Sequence, residues 1–238
     1  MQLNRVNRTA DLVYVRNALV SVADKSGLEP FIRELWELIP DVTIYSTGGT
    51  CTMLRELARK ANRSEDCVRS ISSYTGQPEM QGGLVKTLDY RVYLGLLSEQ
   101  FNEDHQTDLR RTGSIPFDMT VCSFYPFEAT AGTGNATLED LRTNVDIGGP
   151  TMVRASAKNF LRVLTLCRPP DYRSVLDTLG THRGATTLGF RLAMATKAFR
   201  YTADYEAAIA DHLARAAEET DLYTLYNTED DQSGEDRR

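Results

Sequence analysis

The sequence predicts an α/β fold with a parallel sheet, crossover helices and a helical C-terminal part. Two observations carry this. From Ala18 to Ala61 the order is strand, helix, strand, helix, each strand running through a polar or glycine turn into the helix that follows. From Tyr172 to Thr220 the chain is mainly helical in pattern.

"ALVSV" (Ala18–Val22) reads as a short buried strand. "LEPFIRELWELI" follows as an amphipathic helix with Leu28, Phe31, Ile32, Leu35, Leu38 and Ile39 on one stripe, and Pro30 suits its first turn. "VTIYS" is the second strand, ended by a Gly turn. "TMLRELARKA" is the second helix, with Thr50 as its expected N-cap. Ser70–Lys86 reads as a loop, rich in Gly, Pro and polar residues. "YRVYLGLLS" favours a helix, Met119–Phe124 a strand stopped by Pro126, and "TLEDLRTNV" a short helix capped by Thr137. "DIGGPTMVRASAKNF" is a second Gly turn opening a helix, with Pro150 at its first position. "RVLTLC" is a further strand, closed by Pro169 and Pro170. Residues from Asn227 are acidic and polar, the composition of a disordered tail. The expected organisation is an N-terminal extension over 1–17, a single domain over 18–226 and a tail over 227–238.

The chain of 238 residues is 41% hydrophobic and 25% charged, ordinary globular values, and carries a net charge of −6. That charge argues against a general nucleic-acid binder, so an anionic ligand would be held by a few placed lysines and backbone amides. Cys51, Cys67, Cys122 and Cys167 are widely spaced, and His105, His182 and His212 are scattered, so the sequence supports no metal site. The N-terminus has no apolar signal segment, and no run approaches the ~20 apolar residues of a membrane span. A cytoplasmic protein with reduced thiols is expected.

"YSTGGT" (Tyr45–Thr50) places a Gly-Gly turn between a strand and a helix start. Free N–H groups and the helix dipole make such a turn a candidate phosphate pocket. A tight turn with a capping Thr accounts for the same letters, and both readings stand at this point.

Four stretches in order, "SVADKSGL" (Ser21–Leu28), "STGGT" (Ser46–Thr50), "GGLVKTL" (Gly82–Leu88) and "FYPF" (Phe124–Phe127) followed by "DIGGPTMVRASAKN" (Asp146–Asn159), closely resemble the IMP cyclohydrolase domain of the bifunctional purine-biosynthesis proteins. A fifth, "KAFRYTADYEAAI", matches the same pattern, and the resemblance covers roughly Ala18–Leu213. It implies a methylglyoxal-synthase-like fold: a mostly parallel sheet between helical layers. It also implies the reaction, closure of the purine ring of 5-formamidoimidazole-4-carboxamide ribonucleotide to IMP and water. That chemistry needs a frozen conformation, a base for the amide nitrogen and donors for the formyl oxygen, and no cofactor.

By this resemblance, Asp146 would deprotonate the carboxamide, although alone it reads as a turn Asp before Gly-Gly. Lys158 would be the main proton donor and acceptor, although alone it reads as a surface helix lysine. Tyr125 would assist the departing oxygen, and Lys86 would orient the base and formyl group with Thr87 beside it. Thr47, Gly48, Gly49 and Thr50 would hold the 5′-phosphate, with Ser21, Asp24 and Lys25 forming a second segment. Cys122, Ser123, Ile147 and Gly148 would line the substrate. The sequence departs from the family's usual letters at Leu84, Asp89, Tyr90 and Ser123, where an Arg, a His-Pro pair and an Asn are customary. The length leaves no room for the family's transformylase domain, so a free-standing enzyme is expected, supplied by a separate AICAR-formylating enzyme. A homodimer is expected as well. Two other readings share the pocket: a methylglyoxal-synthase-like lyase and a non-catalytic purine nucleotide-binding module.

Overall fold

The computed structural model describes residues 5–77, 87–127, 136–219 and 225–226. Lys86, Leu84 and the tail from Asn227 lie outside the described residues. The chain divides into two compact units, one of Met1–Tyr125 with Asp146–Ala203, the other of Pro126–Val145 with Asp204–Arg238.

The first unit is built on five parallel strands: β2 (Asn17–Val22), β3 (Thr43–Ser46), β4 (Val68–Ser70), β5 (Met119–Ser123) and β6 (Leu164–Leu166), in the spatial order β4-β3-β2-β5-β6. The alternation of side chains along each strand assigns the two faces. Ala18, Val20, Val22, Met119 and Val121 join one buried cluster with Leu28, Phe31, Ile32, Leu35 and Trp36 of α1 (Leu28–Leu38). Leu54 of α2 (Gly48–Lys60) and Val175 and Leu179 of α8 (Tyr172–Thr181) belong to it too. Phe31 and Tyr172 stack there with ring centroids 4.4 Å apart. Each such large side chain contributes about 1.5–3 kcal/mol by leaving water. On the other face Thr120 meets Ser156 of α7 (Gly148–Lys158), hydroxyl to hydroxyl at 2.8 Å. Helices therefore cover both faces of a parallel sheet, as the sequence led one to expect.

Several elements depart from the expectation. Helix α2 begins at Gly48, and its N-cap is Thr47. Thr50 lies inside the first turn, buried, its hydroxyl donating to the Val22 carbonyl at 3.1 Å. Pro150 is the third residue of α7, not the first. Part of the stretch read as loop is β4, which ends at Ser70, followed by α3 (Ile71–Thr75). Helix α4 (Tyr90–Leu97) forms where a helix was favoured, with Asp89 as its cap. Helix α5 (Glu103–Thr112), capped by Asn102 and ended by Gly113 at φ 64°, is an element the sequence reading passed over. So is the antiparallel pair of β1 (Val13–Tyr14) with β7 (Ala185–Thr186). Val13 and Val15 are buried, so part of the 1–17 segment takes part in the fold.

In the second unit, α6 (Leu138–Thr143) carries the expected Thr137 cap, closed into a reciprocal box with Asp140. Among the described residues, Phe127, Leu141 and Ile209 form its buried apolar cluster, with Tyr205 packed against them. Ile209 and Tyr205 come from the second half of α9 (Leu188–Glu219), whose first half belongs to the first unit.

Candidate active site

The strand order turns back between β2 and β5: β3 and β4 extend one way from β2, β5 and β6 the other. Loops leaving the carboxyl ends of β2 and β5 therefore diverge, and open α/β sheets bind ligands in that crevice. Most of the residues picked out in the sequence gather at this edge.

Ser21, near the end of β2, and Thr47, just past β3, share a hydroxyl–hydroxyl hydrogen bond of 2.9 Å. Thr47 so engaged does not cap α2 with its side chain. The N–H groups of Gly48, Gly49 and Thr50 precede the first intrahelical bond, Cys51 to the Thr47 carbonyl at 3.1 Å, and so have no acceptor within the helix. Gly48 has φ 45°, a conformation that favours glycine, and a Cβ on Gly49 would meet nothing within 4 Å. The turn is an open, donor-lined positive helix end.

The loop after β2 is held by Ser123, at the end of β5. Its hydroxyl accepts the N–H groups of Ala23 at 3.0 Å and Asp24 at 3.2 Å. Ser123 thus ties the loop after β2 to the end of β5. Asp24 accepts the Ser26 N–H at 2.8 Å, and its contacts with Ser26 hold its exposed carboxyl below the usual value. Its side chain shapes the turn that presents the exposed Lys25.

The third part is the start of α7. Asp146 accepts the Gly149 N–H on one carboxylate oxygen at 2.9 Å and the Tyr125 N–H on the other at 3.4 Å. Burial pushes its pKa up from 3.8, against the pull of N–H donors from Gly149, Tyr125 and Gly148. A carboxylate so placed is a stronger base than one in water. Gly149 has no room for a side chain: a Cβ would stand 2.6 Å from the Asp146 carboxylate and 2.9 Å from the Phe124 ring. Gly149→Ala is expected to displace the carboxylate and to destabilise the protein by about 1–3 kcal/mol, read as a fall in both melting temperature and ligand affinity.

Cys122 is buried, its thiol donating to the Gly149 carbonyl at 3.8 Å, and burial raises its pKa well above 9.0. It supports α7 and is no nucleophile. Thr87 is 4% exposed, with its hydroxyl 2.9 Å from where a Gly148 Cβ would be. Tyr125 and Ile147, 57% and 60% exposed, are apolar groups left open beside Asp146.

Lys158 is not brought to this cluster. It is the last residue of α7, ten residues from Gly148, or ~15 Å along the axis at the α-helical rise. The next residue, Asn159, donates to the carbonyls of Leu96 and Ser98, and Arg162 pairs with Asp118 just before β5. These contacts put the exposed Lys158 at the amino edge of the sheet. The separation exceeds the reach of a lysine side chain, so Lys158 and Asp146 of one chain cannot exchange a proton directly.

A family model described as the MGS-like domain matches residues 27–151, more than half of the chain, from just before α1 to the start of α7. The chain belongs to the MGS-like domain family. A second model, the AICARFT/IMPCHase bienzyme, matches residues 156–235 of this MGS-like chain. The bifunctional purine biosynthesis protein PurH of Chlorobium phaeobacteroides (strain BS1) is 43% identical over 204 residues, 86% of this chain and 37% of that protein. The PurH of Magnetococcus marinus (strain ATCC BAA-1437 / JCM 17883 / MC-1) is 42% identical over 84% of this chain and 36% of its own length. The MGS-like chain therefore spans little more than a third of these curated relatives. The crystal structure of ForH superposes with a TM-score of 0.67 at 32% identity, covering 84% of this chain and 99% of that one. The family resemblance read from the five ordered motifs is borne out.

Proposed function

We propose that this MGS-like protein is an IMP cyclohydrolase, closing the purine ring of 5-formamidoimidazole-4-carboxamide ribonucleotide in the last step of purine synthesis. The observation that carries the reading is the Asp146 carboxylate, half-buried and fixed at the start of α7 on the same sheet edge as the donor-lined turn of α2. Thr47 follows β3 and Ser123 ends β5, two strand spacings or ~10 Å apart across β2. That span suits a nucleoside 5′-monophosphate with its phosphate on the Gly48–Thr50 amides, Lys25 nearby, and its base beside Tyr125 and Ile147.

The chemistry follows in two steps. Asp146 takes a proton from the carboxamide nitrogen, which attacks the formyl carbon of the same molecule. The formyl oxygen gains a proton to give a cyclic carbinolamine. That hydroxyl then leaves as water, while the former formamido nitrogen loses its proton to complete the ring. Because both reacting groups are on one substrate, much of the acceleration comes from holding them together. Tyr125 and Lys86 are assigned to the oxygen, Tyr125 because it follows directly from the residue anchored beside Gly149. Lys158 is given no step, because of its distance from Asp146.

The substrate must come from a formyl transfer to the amino-imidazole nucleotide. A cytoplasmic location accords with the four free cysteines. A homodimer is part of this reading, and a monomeric mass by light scattering at assay concentration would rule it out. The decisive test is a spectrophotometric assay of ring closure. Turnover above the blank supports the enzyme, whereas IMP binding without turnover would leave a nucleotide-binding module.

A further inference from the structure

We propose that Tyr201 is a positioning residue that sets the path of the chain at Phe124–Tyr125 and thereby aims the Asp146 carboxylate. The inference rests on the reading of Asp146 as the base.

The segment concerned is short. Strand β5 ends at Ser123, so Phe124 and Tyr125 are beyond the sheet ladder. The Phe124 N–H donates to the Tyr201 hydroxyl oxygen at 3.2 Å. The Tyr201 ring stacks on the Phe124 ring, centroids 4.5 Å apart and planes at 28°. The Arg168 guanidinium, just past β6, lies over the Tyr201 ring at 5.1 Å. Tyr201 therefore grips Phe124 at two points, by backbone and by ring, with Arg168 stacked on it. The next N–H, that of Tyr125, is the one given to Asp146. The Phe124 ring in turn stands against Gly149, whose N–H holds the other carboxylate oxygen. Two of the donors on Asp146, from Tyr125 and Gly149, thus lie next to Phe124, and Phe124 is held by Tyr201.

A purely structural role for Tyr201 would need only its ring. Tyr201→Phe keeps the ring and removes the acceptor, which separates the two cases. Without the acceptor, the Phe124–Tyr125 backbone loosens and Asp146 loses part of its Tyr125 donor. Since that donor lowers the Asp146 pKa, the carboxyl should titrate at higher pH in the variant.

The experiment is a carbon-13 NMR titration of the Asp146 carboxyl in parent and Tyr201→Phe, the signal identified by its loss in Asp146→Asn. It is run beside kcat and KM for ring closure. The expected result is an upward shift of the Asp146 titration and of the acid limb of kcat. The kcat should fall between about tenfold and a hundredfold, the scale of a small misplacement, with KM little changed. An Asp146 titration superimposable on the parent's overturns the proposal, whatever the activity. A shifted titration in a parent that shows no turnover would uphold the positioning and reject the cyclohydrolase reading instead. Arg168→Ala is the second variant, expected to give a smaller shift in the same direction.

Discussion

Asp146→Asn is expected to lower kcat for ring closure by ~10²–10⁴, the usual contribution of a positioned base, with folding intact. The amide oxygen of Asn can still accept the Gly149 N–H at 2.9 Å, which holds the start of α7, while only the longer contact with the Tyr125 N–H is given up. What is lost is the group that takes the proton. The parent's kcat/KM should show an acid limb at a pH above 3.8, because burial raises the Asp146 pKa in the folded protein. The same shift fixes the sign for stability. A carboxyl whose native pKa lies above its unfolded value holds more protons when folded. Its ionisation therefore costs stability progressively as pH rises from about 3.8 through the native pKa, and the full cost is present above it. Asp146→Asn removes that cost, so its melting temperature at pH 7 should equal or exceed the parent's. A variant that melts early, or that turns over at the parental rate, would be incompatible with a half-buried base at this position.

Arg191→Met is expected to be the most destabilising substitution in the first unit. Arg191 is 0% exposed, and its guanidinium donates to the carbonyls of Phe160 at 2.9 Å, Asp11 at 3.0 Å, Ala10 at 2.9 Å and Leu161 at 3.0 Å, and to that of Thr186. One cation thus gathers the N-terminal segment, the loop before β6 and strand β7. Burial draws its pKa down to about 10, still charged at neutral pH. Methionine fills the space and leaves these acceptors without their shared donor. A loss of about 3–5 kcal/mol follows from an unmade buried, charge-assisted network. At this chain length that is a fall of roughly 6–20 °C in melting temperature. Urea and thermal unfolding measure it, and a change below 2 °C would show that the carbonyls find water instead. Lysine at 191 is expected to recover only part of the loss, since its ammonium has three donors and cannot span the five carbonyls.

Asp146 and Arg191 were unequally legible in the sequence. Asp146 lies in "DIGG", a stretch whose resemblance marks it, whereas Arg191 is one Arg in a helical run. The difference is the range over which the physical cause acts. The stripe of α1, the capping box of Thr137 and the β-branched runs of β2 and β3 are fixed by neighbours a few residues away, and their periodicity is written locally. The family motifs likewise sit on contiguous letters, and with them came the fold, the crevice and the reaction class. Two-residue strands such as β1 and β7 have no periodicity to read, and their pairing joins Val13 to Thr186. Helix α5 has few apolar residues to form a stripe, so its letters carry no helical period.

Side-chain assignments divide along the same line. The sequence by itself determined a parallel α/β sheet, a Gly turn opening a helix, and an Asp before a second Gly turn. Only the tertiary structure decided what each polar group is bonded to. Thr50 lost its place as a cap because Val22, 28 residues away, takes its hydroxyl. Ser123, expected to line the substrate in place of the family's Asn, holds the loop after β2 from 100 residues away. Lys158 is separated from Asp146 by the length of α7. Tyr201 reached Phe124 across 77 residues of chain. Backbone patterns are dictated by local sterics and burial, while hydrogen-bond partners are dictated by where the folded chain returns.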